Sequence, residues 1–388
     1  MFTLSKSKGR RFRTRALVPT AICLGAASGF AAAPRLPTTQ EIDSIFSSVT
    51  SPTAPGVAVL VRRDDRVVFE RGYGIRDLDT RAQIDASTNF RLASCTKQFT
   101  AMAVMLLVHD GKLAYDTRLA EIFPAFPDNG KSITIRNLLN HTSGLPDYED
   151  LMIAAETPRN TRLWTDTHQI QDSEVLKLLA QQAATTKFPP GTKWNYSNSG
   201  YVVLGLVVAK ISGEPFGDFL RDRIFAPLKM QNTLAFEKGK NYVANRALGY
   251  TKSGRDWQET DQSPTSATLG DGGVYCSLAD LAKWDDALRN HTLVSAAEME
   301  PALTPVTVPG DGPRGPNGEP AAYGFGWFLN SFDGHVRMWH YGETVGFRTN
   351  IQRFTDEHLT IVVLSNRTDL NPGALAERVA DLFFRPRH

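Results

Sequence analysis

Residues 90–111 read FRLASCTKQFTAMAVMLLVHDG and place a serine and a lysine directly before an apolar run. The run at 101–108 is apolar on every side of a helix and Gly111 ends it, so the pattern predicts a buried central helix. Ser94 and Lys97 are three residues apart, and helical spacing puts them on one face. The side chain of Lys97 is therefore predicted to point into the interior.

A buried lysine beside a serine has a chemical use. Burial removes hydration from an ammonium group and favours the neutral amine, which can take a proton from a hydroxyl group within hydrogen-bond reach. On this interpretation Ser94 is a nucleophile. The alternative is that Ser94 caps the helix while Lys97 extends to solvent. The same Ser-x-x-Lys spacing occurs at Ser5 and Lys8 in the basic N-terminus, so the pattern needs further support.

Residues 1–33 have the pattern of a secretory signal peptide. KSKGRRFRTR carries six basic residues and no acid, and the short, small-residue-rich segment ALVPTAICLGAASGFAAA follows it. Pro19, the glycines and the length argue against a membrane span. We expect cleavage between Gly29 and Ala33 and export to the periplasm or the medium.

Charge and cysteine content exclude several classes of protein. Removal of the leader changes the formal net charge from +2 to −4, so the mature chain, residues 34–388, has no basic surface for nucleic acid. Its two cysteines, Cys95 and Cys276, lack metal-ligand spacing and are either free thiols or one bridge. No neighbouring pattern supplies Cys95 with a base, which favours a small buried hydrophobic residue. No metal or cofactor is predicted.

Predicted strands lie near both ends of the chain. After a short helix at about 39–49, the segment GVAVLVRRDDRVVFERGYG (56–74) predicts a β-hairpin around a charged turn. The predicted C-terminal elements are strands at 323–329, 335–339, 348–354 and 359–365 and a helix at 372–384. Residues 94–289 are mostly helical or loop.

This order predicts an α+β fold. We expect an antiparallel sheet built from both chain ends with flanking helices, and a mainly helical lobe inserted in the middle. The α/β lobe is placed at about 34–90 and 290–388, and the helical lobe at about 91–289. A cleft between the two lobes is the expected functional site.

Two further polar motifs add to the serine and lysine. Tyr196-Ser197-Asn198 lies in a Gly/Pro-rich loop just before a helix, and His340-Tyr341-Gly342 lies near the end of a predicted strand. Taken singly, Tyr196 and Asn198 are compatible with loop residues that satisfy backbone groups, and Gly342 with tight strand packing.

The three motifs in this order resemble the serine β-lactamase and penicillin-binding protein superfamily, in its class C-like branch with esterases and D-alanyl peptidases. The segments NHTSGLPDY, FPPGTKWNYSNSGY and GDGGVYCSLADLAKW also resemble that branch, so the likeness covers nearly all of the mature chain. The resemblance implies a β-lactamase/transpeptidase-like fold and an acyl-enzyme mechanism.

The resemblance also implies a role for each motif residue. Ser94 would attack the carbonyl, while Lys97 and Tyr196 share the proton transfers. A lysine near the phenol would favour its phenolate, and which of the two is the base stays open. Asn198 would donate to the substrate acyl group or hold Lys97 in place. The backbone N–H groups of Ser94 and Glu343 would form the oxyanion hole.

The third motif departs from the family pattern, which has Lys-Thr-Gly or Lys-Ser-Gly. His340 stands where carboxylate-recognising relatives have a lysine, and Gly342 keeps the glycine. The literal KSG at 252–254 lies in GYTKSGRDW, which reads as a strand, a turn and a strand, with Gly254 and Asp256 as turn formers. Neutral His340 supplies a hydrogen bond without a fixed charge. Glu343 disfavours a substrate carboxylate further, unless Arg348 points inward and restores a cation.

The departure favours an exported serine hydrolase, esterase-like, that acts on ester or amide substrates without a free carboxylate. The alternatives are a β-lactamase or a D-alanyl or D-amino-acid peptidase, and a non-catalytic wall-binding protein. The expected partners are a small-molecule or peptide substrate, with cell-wall fragments among the candidates. Neither a nucleic acid nor a stable membrane span is expected, and the oligomeric state stays open.

Overall fold

An antiparallel sheet takes its strands from both ends of the chain. The computed structural model describes residues 36–127, 130–182 and 186–384, so the signal peptide predicted at 1–33 lies outside the described residues. Within these ranges the strands are β1 Val57–Arg63, β2 Arg66–Tyr73, β3 Ile75–Asp77, β4 Ala82–Gln83, β5 Phe90–Arg91, β6 Leu234–Ala235, β7 Tyr250–Ser253, β8 Asp256–Glu259, β9 Val274–Cys276, β10 Ala322–Tyr323, β11 Phe328–Phe332, β12 His335–Thr344, β13 Phe347–Phe354 and β14 Leu359–Ser365. The main described sheet has the order β10-β11-β12-β13-β14-β1-β2. This confirms the predicted fold class.

Helices cover both faces of the sheet. The described α-helices are α1 Thr39–Ser47, α2 Lys97–His109, α3 Leu119–Ile122, α4 Ile135–Leu139, α5 Tyr148–Glu156, α6 Asp172–Ala180, α7 Asn198–Ser212, α8 Phe216–Leu220, α9 Leu278–Arg289, α10 Ala296–Leu303 and α11 Pro372–Phe384. Alternate residues of a strand point to opposite faces. Val59 of β1 packs in one apolar cluster with residues of α1 and α11, and Leu60 packs in the other with α2. Both faces of β1 are therefore buried.

The N-terminal hairpin forms as predicted. β1 and β2 pair antiparallel, and the turn residues Asp64 and Asp65 have φ angles of 49° and 64°. Aspartate tolerates this left-handed region better than most residues, and two such residues in succession suit a tight hairpin turn.

The C-terminal strands differ from the prediction in their bounds. The strand expected at 323–329 is split into β10 and β11, because Gly326, with φ of 75°, turns the chain between them. The strand expected at 335–339 continues to Thr344. The third motif therefore lies inside β12 rather than beyond its end.

The middle of the chain contains more strand than predicted. β5, β9 and β6 form a small sheet that the sequence did not predict, whereas β7 and β8 form the hairpin that it did. Lys252 and Ser253 end β7 and Gly254, with φ of 61°, lies in the turn, which confirms the strand, turn and strand predicted for this segment. The division into two lobes at about 90 and 290 stays a prediction.

A buried ionic cluster joins α9 to the main sheet. Asp285 of α9 binds Arg62 of β1 at 2.6 Å and Arg353 of β13 at 2.7 Å, and Thr360 of β14 donates to the same carboxylate at 2.7 Å. Burial alone would raise the pKa of Asp285, but Arg353 and Arg62 outweigh it and lower the pKa. Because breaking a buried pair leaves a charge uncompensated, the cluster fixes the helix at one place on the sheet.

Candidate active site

Ser94 lies in a short 3₁₀ turn, Ala93–Thr96, directly before α2. The α-helix begins at Lys97, so Ser94 lies just outside the helix that its spacing from Lys97 suggested. Two contacts hold the turn against the sheet. Thr349 Oγ1 donates to the carbonyl of Leu92 at 2.8 Å, and the thiol of Cys95 donates to the carbonyl of His340 at 3.4 Å. The position of Ser94 therefore depends on β12 and β13.

The backbone just before Ser94 is strained, and Gly342 makes room for it. Ala93 has φ of 47°, a left-handed conformation that costs an L-residue about 1–2 kcal/mol. A Cβ atom at position 342 would lie 2.1 Å from the carbonyl oxygen of Leu92 and 2.3 Å from Thr349 Oγ1. Only glycine allows β12 to approach the turn so closely. The tight-packing interpretation of Gly342 fits this geometry.

The side chain of Lys97 is completely buried, as the sequence predicted. Its Nζ lies 3.0 Å from Ser94 Oγ, 2.9 Å from Asn198 Oδ1 and 3.0 Å from the backbone oxygen of Asp271. Burial lowers the pKa of Lys97 to about 8, against the opposing effect of the Asp271 charge.

This geometry suits a neutral amine as a proton acceptor. A neutral amine has two N–H groups and one lone pair. Asn198 Oδ1 and the Asp271 carbonyl are both acceptors, so they take the two N–H groups of Lys97. The lone pair is then left for the hydroxyl hydrogen of Ser94.

The loop that carries Tyr196 and Asn198 is held by the segment around NHTSGLPDY. The N–H of Ser197 donates to His141 Nδ1 at 3.2 Å, and the N–H of Asn198 donates to Asp147 Oδ2 at 3.2 Å. The hydroxyl of Ser197 also caps α7. The imidazole of His141 therefore supports the loop of the second motif.

Tyr196 is close to the site but is not the phenolate that the sequence suggested. Lys97 Nζ lies 4.9 Å from the centre of the Tyr196 ring, over its face. The phenol oxygen is shielded from solvent and has no hydrogen-bond partner at ordinary distance among the described residues. Burial raises the pKa of Tyr196 well above its usual value, and the Ser94 hydroxyl offsets this only in part. Tyr196 is therefore a neutral phenol.

His340 also differs from its expected role as a substrate contact. It is completely buried on β12, and both ring nitrogens are occupied. Nδ1 donates to the carbonyl of Tyr341 at 2.7 Å, and Nε2 accepts from the hydroxyl of Tyr323 at 3.1 Å. Burial, and then the charge of Lys97, lowers the pKa of His340 to about 3. His340 is a neutral internal residue that offers no open donor to a substrate.

Glu343 and Arg348 neutralise each other at the rim of the site. Arg348 Nη2 binds Glu343 Oε1 at 2.7 Å across β12 and β13. Arg348 therefore does not restore an unpaired cation, although it lies on the predicted strand. Glu343 lines one cleft with Ser94 and Asn198, and it also borders a larger cavity of about 410 Å³ lined by Trp339 and other residues of the sheet.

The sequence did not predict that Asp147 would bind the backbone of Asn198 or that the backbone oxygen of Asp271 would bind Lys97. Both aspartates occur in segments that resemble the superfamily, but nothing local marks Asp271 as a partner of Lys97, 174 residues away.

Cys95 and Cys276 are free buried thiols and do not form the disulfide bridge that the sequence left open. Burial raises the pKa of Cys95 to about 12, so it is not a nucleophile. Among the described residues, no three His, Cys, Asp or Glu side chains are grouped to hold a metal ion.

The fold and the Ser94–Lys97 pair are those expected of the superfamily of serine β-lactamases and penicillin-binding proteins. The chain belongs to the β-lactamase family, because the family model described as Beta-lactamase matches residues 43–383. The resemblance inferred from the motifs is confirmed, and the relatives in this superfamily include D-aminopeptidases.

Individual relatives show how far the likeness extends. The chain is 30% identical over 343 residues to penicillin-binding protein 4* of Bacillus subtilis (strain 168), covering 85% of this chain and 72% of that protein. It is 30% identical over 320 residues to a D-aminopeptidase of Cereibacter sphaeroides, covering 80% of this chain but only 57% of that relative. The crystal structure of a penicillin binding protein from Bacillus halodurans has a TM-score of 0.70 at 27% identity, covering 87% of this chain and 97% of that one.

The close approach at Gly342 generates a prediction. We expect Gly342→Ala to displace the turn of Ser94 by about 1 Å and to lower kcat/KM for p-nitrophenyl acetate about a hundredfold, because small misplacements of reacting groups are costly. Gly312 has open space around its Cα, so Gly312→Ala is the matched control and should keep wild-type kcat/KM. Wild-type kcat/KM in Gly342→Ala would show that the turn does not need this glycine.

Proposed function

We propose that the chain hydrolyses esters or amides through an acyl-enzyme formed on Ser94. The observation that carries the proposal is the buried Lys97 amine, 3.0 Å from Ser94 Oγ, with two other acceptors to take its N–H groups. Lys97 takes the hydroxyl proton as Ser94 Oγ attacks the carbonyl carbon. The C–O or C–N bond of the leaving group then breaks, and water hydrolyses the acyl ester.

We assign the base role to Lys97 and an acid role to Tyr196. A neutral phenol beside Ser94 can give its proton to the departing oxygen or nitrogen, and the proton held by Lys97 then restores the phenol. Backbone N–H groups of Ser94 and Glu343 are proposed to bind the oxyanion. Their support is that both residues line the same cleft.

The charges of the third motif favour substrates without a carboxylate. His340 is buried and neutral, and Arg348 is already paired with Glu343. A penicillin-like carboxylate would therefore meet no unpaired cation of the third motif. A D-amino-acid peptidase is the second candidate, and the D-aminopeptidase relative is the observation that favours it.

Covalent labelling tests the mechanism. A fluorophosphonate should modify Ser94, identified by peptide mass spectrometry, and Ser94→Ala should lose both labelling and at least roughly a thousandfold in kcat on p-nitrophenyl acetate. Ser253 at the end of β7 is the matched control, because it is exposed in a hairpin and does not line the cleft of Ser94. Turnover retained in Ser94→Ala would contradict the serine mechanism.

We also propose that the protein is exported and acts in the periplasm or the medium. The support is the basic segment followed by small apolar residues in 1–33. In a bacterial host expressing the full chain, the periplasm or medium should contain a protein whose first residue lies between 30 and 34, measured by intact mass. A cytoplasmic product that retains Met1 would contradict export. For residues 36–127, 130–182 and 186–384, no helix is long and apolar enough to span a membrane.

A further inference from the structure

One wall of the cleft at Ser94 is acidic. Asp271 and Glu149 line this cleft together with Ser94 and Asn198. Asp147 lies behind them, where it accepts N–H groups of Glu149 and Asn198 at 3.0 Å and 3.2 Å. Three carboxylates thus come from two separate segments, the start of α5 and the loop before β9.

Asp271 is buried and only partly satisfied. The residue is 6% exposed. One carboxylate oxygen, Oδ2, accepts a hydrogen bond from the hydroxyl of Tyr148 at 3.2 Å. The other oxygen, Oδ1, is shielded from solvent and has no hydrogen-bond partner among the described residues. A buried acceptor without a partner is costly, so this oxygen is suited to a donor that arrives with the substrate.

The nearby cations of the protein form no direct ion pair with this wall, although the charges of its three carboxylates raise the pKa of Lys97 against the effect of burial. Lys97 donates to the backbone oxygen of Asp271 rather than to its carboxylate. Arg91, at the edge of the cleft, donates to the backbone oxygens of Ser266 and Gly272. Among the residues that the structure describes, none of the three carboxylates of the wall has a cationic nitrogen within 4.0 Å, unlike the carboxylates of Asp285, Asp261 and Glu343.

We propose that this acidic wall binds an ammonium group of the substrate, with Asp271 as its principal acceptor. The inference rests on the proposed acyl transfer at Ser94. Lys97 bridges Ser94 Oγ and the main chain of Asp271, each at 3.0 Å. An amine on the carbon next to the reacting carbonyl is therefore within reach of this wall. The substrate class is an amino-acid ester or amide with a free α-amine.

Two esters that differ only in charge test the proposal. Alanine methyl ester carries an ammonium group near neutral pH, whereas N-acetylalanine methyl ester is neutral. The kcat/KM of each is measured for both enantiomers by proton release at pH 7 and low salt, so that screening is small. For at least one enantiomer we expect the kcat/KM of the free ester to exceed that of the acetylated ester about ten- to a hundredfold. This is the size of effect that a charge-assisted hydrogen bond gives.

Isosteric variants locate the effect. Asp271→Asn should reduce that ratio toward one, and Glu149→Gln, at the exposed rim, should reduce it in part. Because a change in Lys97 basicity would affect both esters alike, the ratio is insensitive to a purely structural role of Asp271. Asp150, the next residue of α5, is exposed and pairs with Lys187, so Asp150→Asn is the matched control and should keep the wild-type ratio.

The outcomes separate this proposal from the proposed function. Three results would overturn the ammonium site while Ser94 labelling and p-nitrophenyl acetate turnover stand. They are a wild-type ratio of one or less, no hydrolysis of alanine methyl ester, and a ratio that is unchanged in both Asp271→Asn and Glu149→Gln. If Asp271→Asn does not fold, Glu149→Gln decides alone. Loss of Ser94 labelling in the wild-type protein would instead overturn the acyl-enzyme mechanism itself.

Discussion

The nitrogen of Lys97 has no contact with solvent and is held by three oxygen atoms that come from three separate parts of the chain. An amine in this position has to be either a fully bonded ammonium or a neutral base whose lone pair faces Ser94. Several elements of the fold provide the burial and the hydrogen-bond acceptors of this amine. The apolar helix α2 buries it, α7 brings Asn198, and the loop before β9 brings a carbonyl. Contacts with β12 and β13 hold the 3₁₀ turn that carries Ser94.

The elements that the sequence predicted are those whose information is local. The spacing of Ser94 and Lys97 before an apolar run predicted both the buried helix and the contact between the two side chains. Alternating β-branched residues around Asp64 and Asp65 predicted the first hairpin, and the motif around Asn198 placed a second site residue at a helix start. These features depend on neighbours within a few positions, so they are visible without the fold.

The features that the sequence did not predict depend on contacts between distant segments. His340 occupies a motif position, yet only the approach of Tyr323 shows that its ring is already bonded. Tyr196 is neutral because its phenol oxygen is buried, and no sequence motif specifies that burial. The acidic wall arises because α5 and the loop before β9 meet at Asp271. Substrate charge preference is thus a property of tertiary packing rather than of the three motifs.

The protonation state of Lys97 tests the central claim most directly. Lysine labelled with ¹³C at Cε gives a resonance for each side chain, and the resonance missing from Lys97→Met identifies Lys97. The account predicts that this resonance titrates with a midpoint near pH 8, because burial lowers the pKa of Lys97 to about 8, while ordinary lysines titrate near 10.4. Above that midpoint the neutral amine is available as the base. A Lys97 resonance that titrates at or above 10.4 would contradict the account.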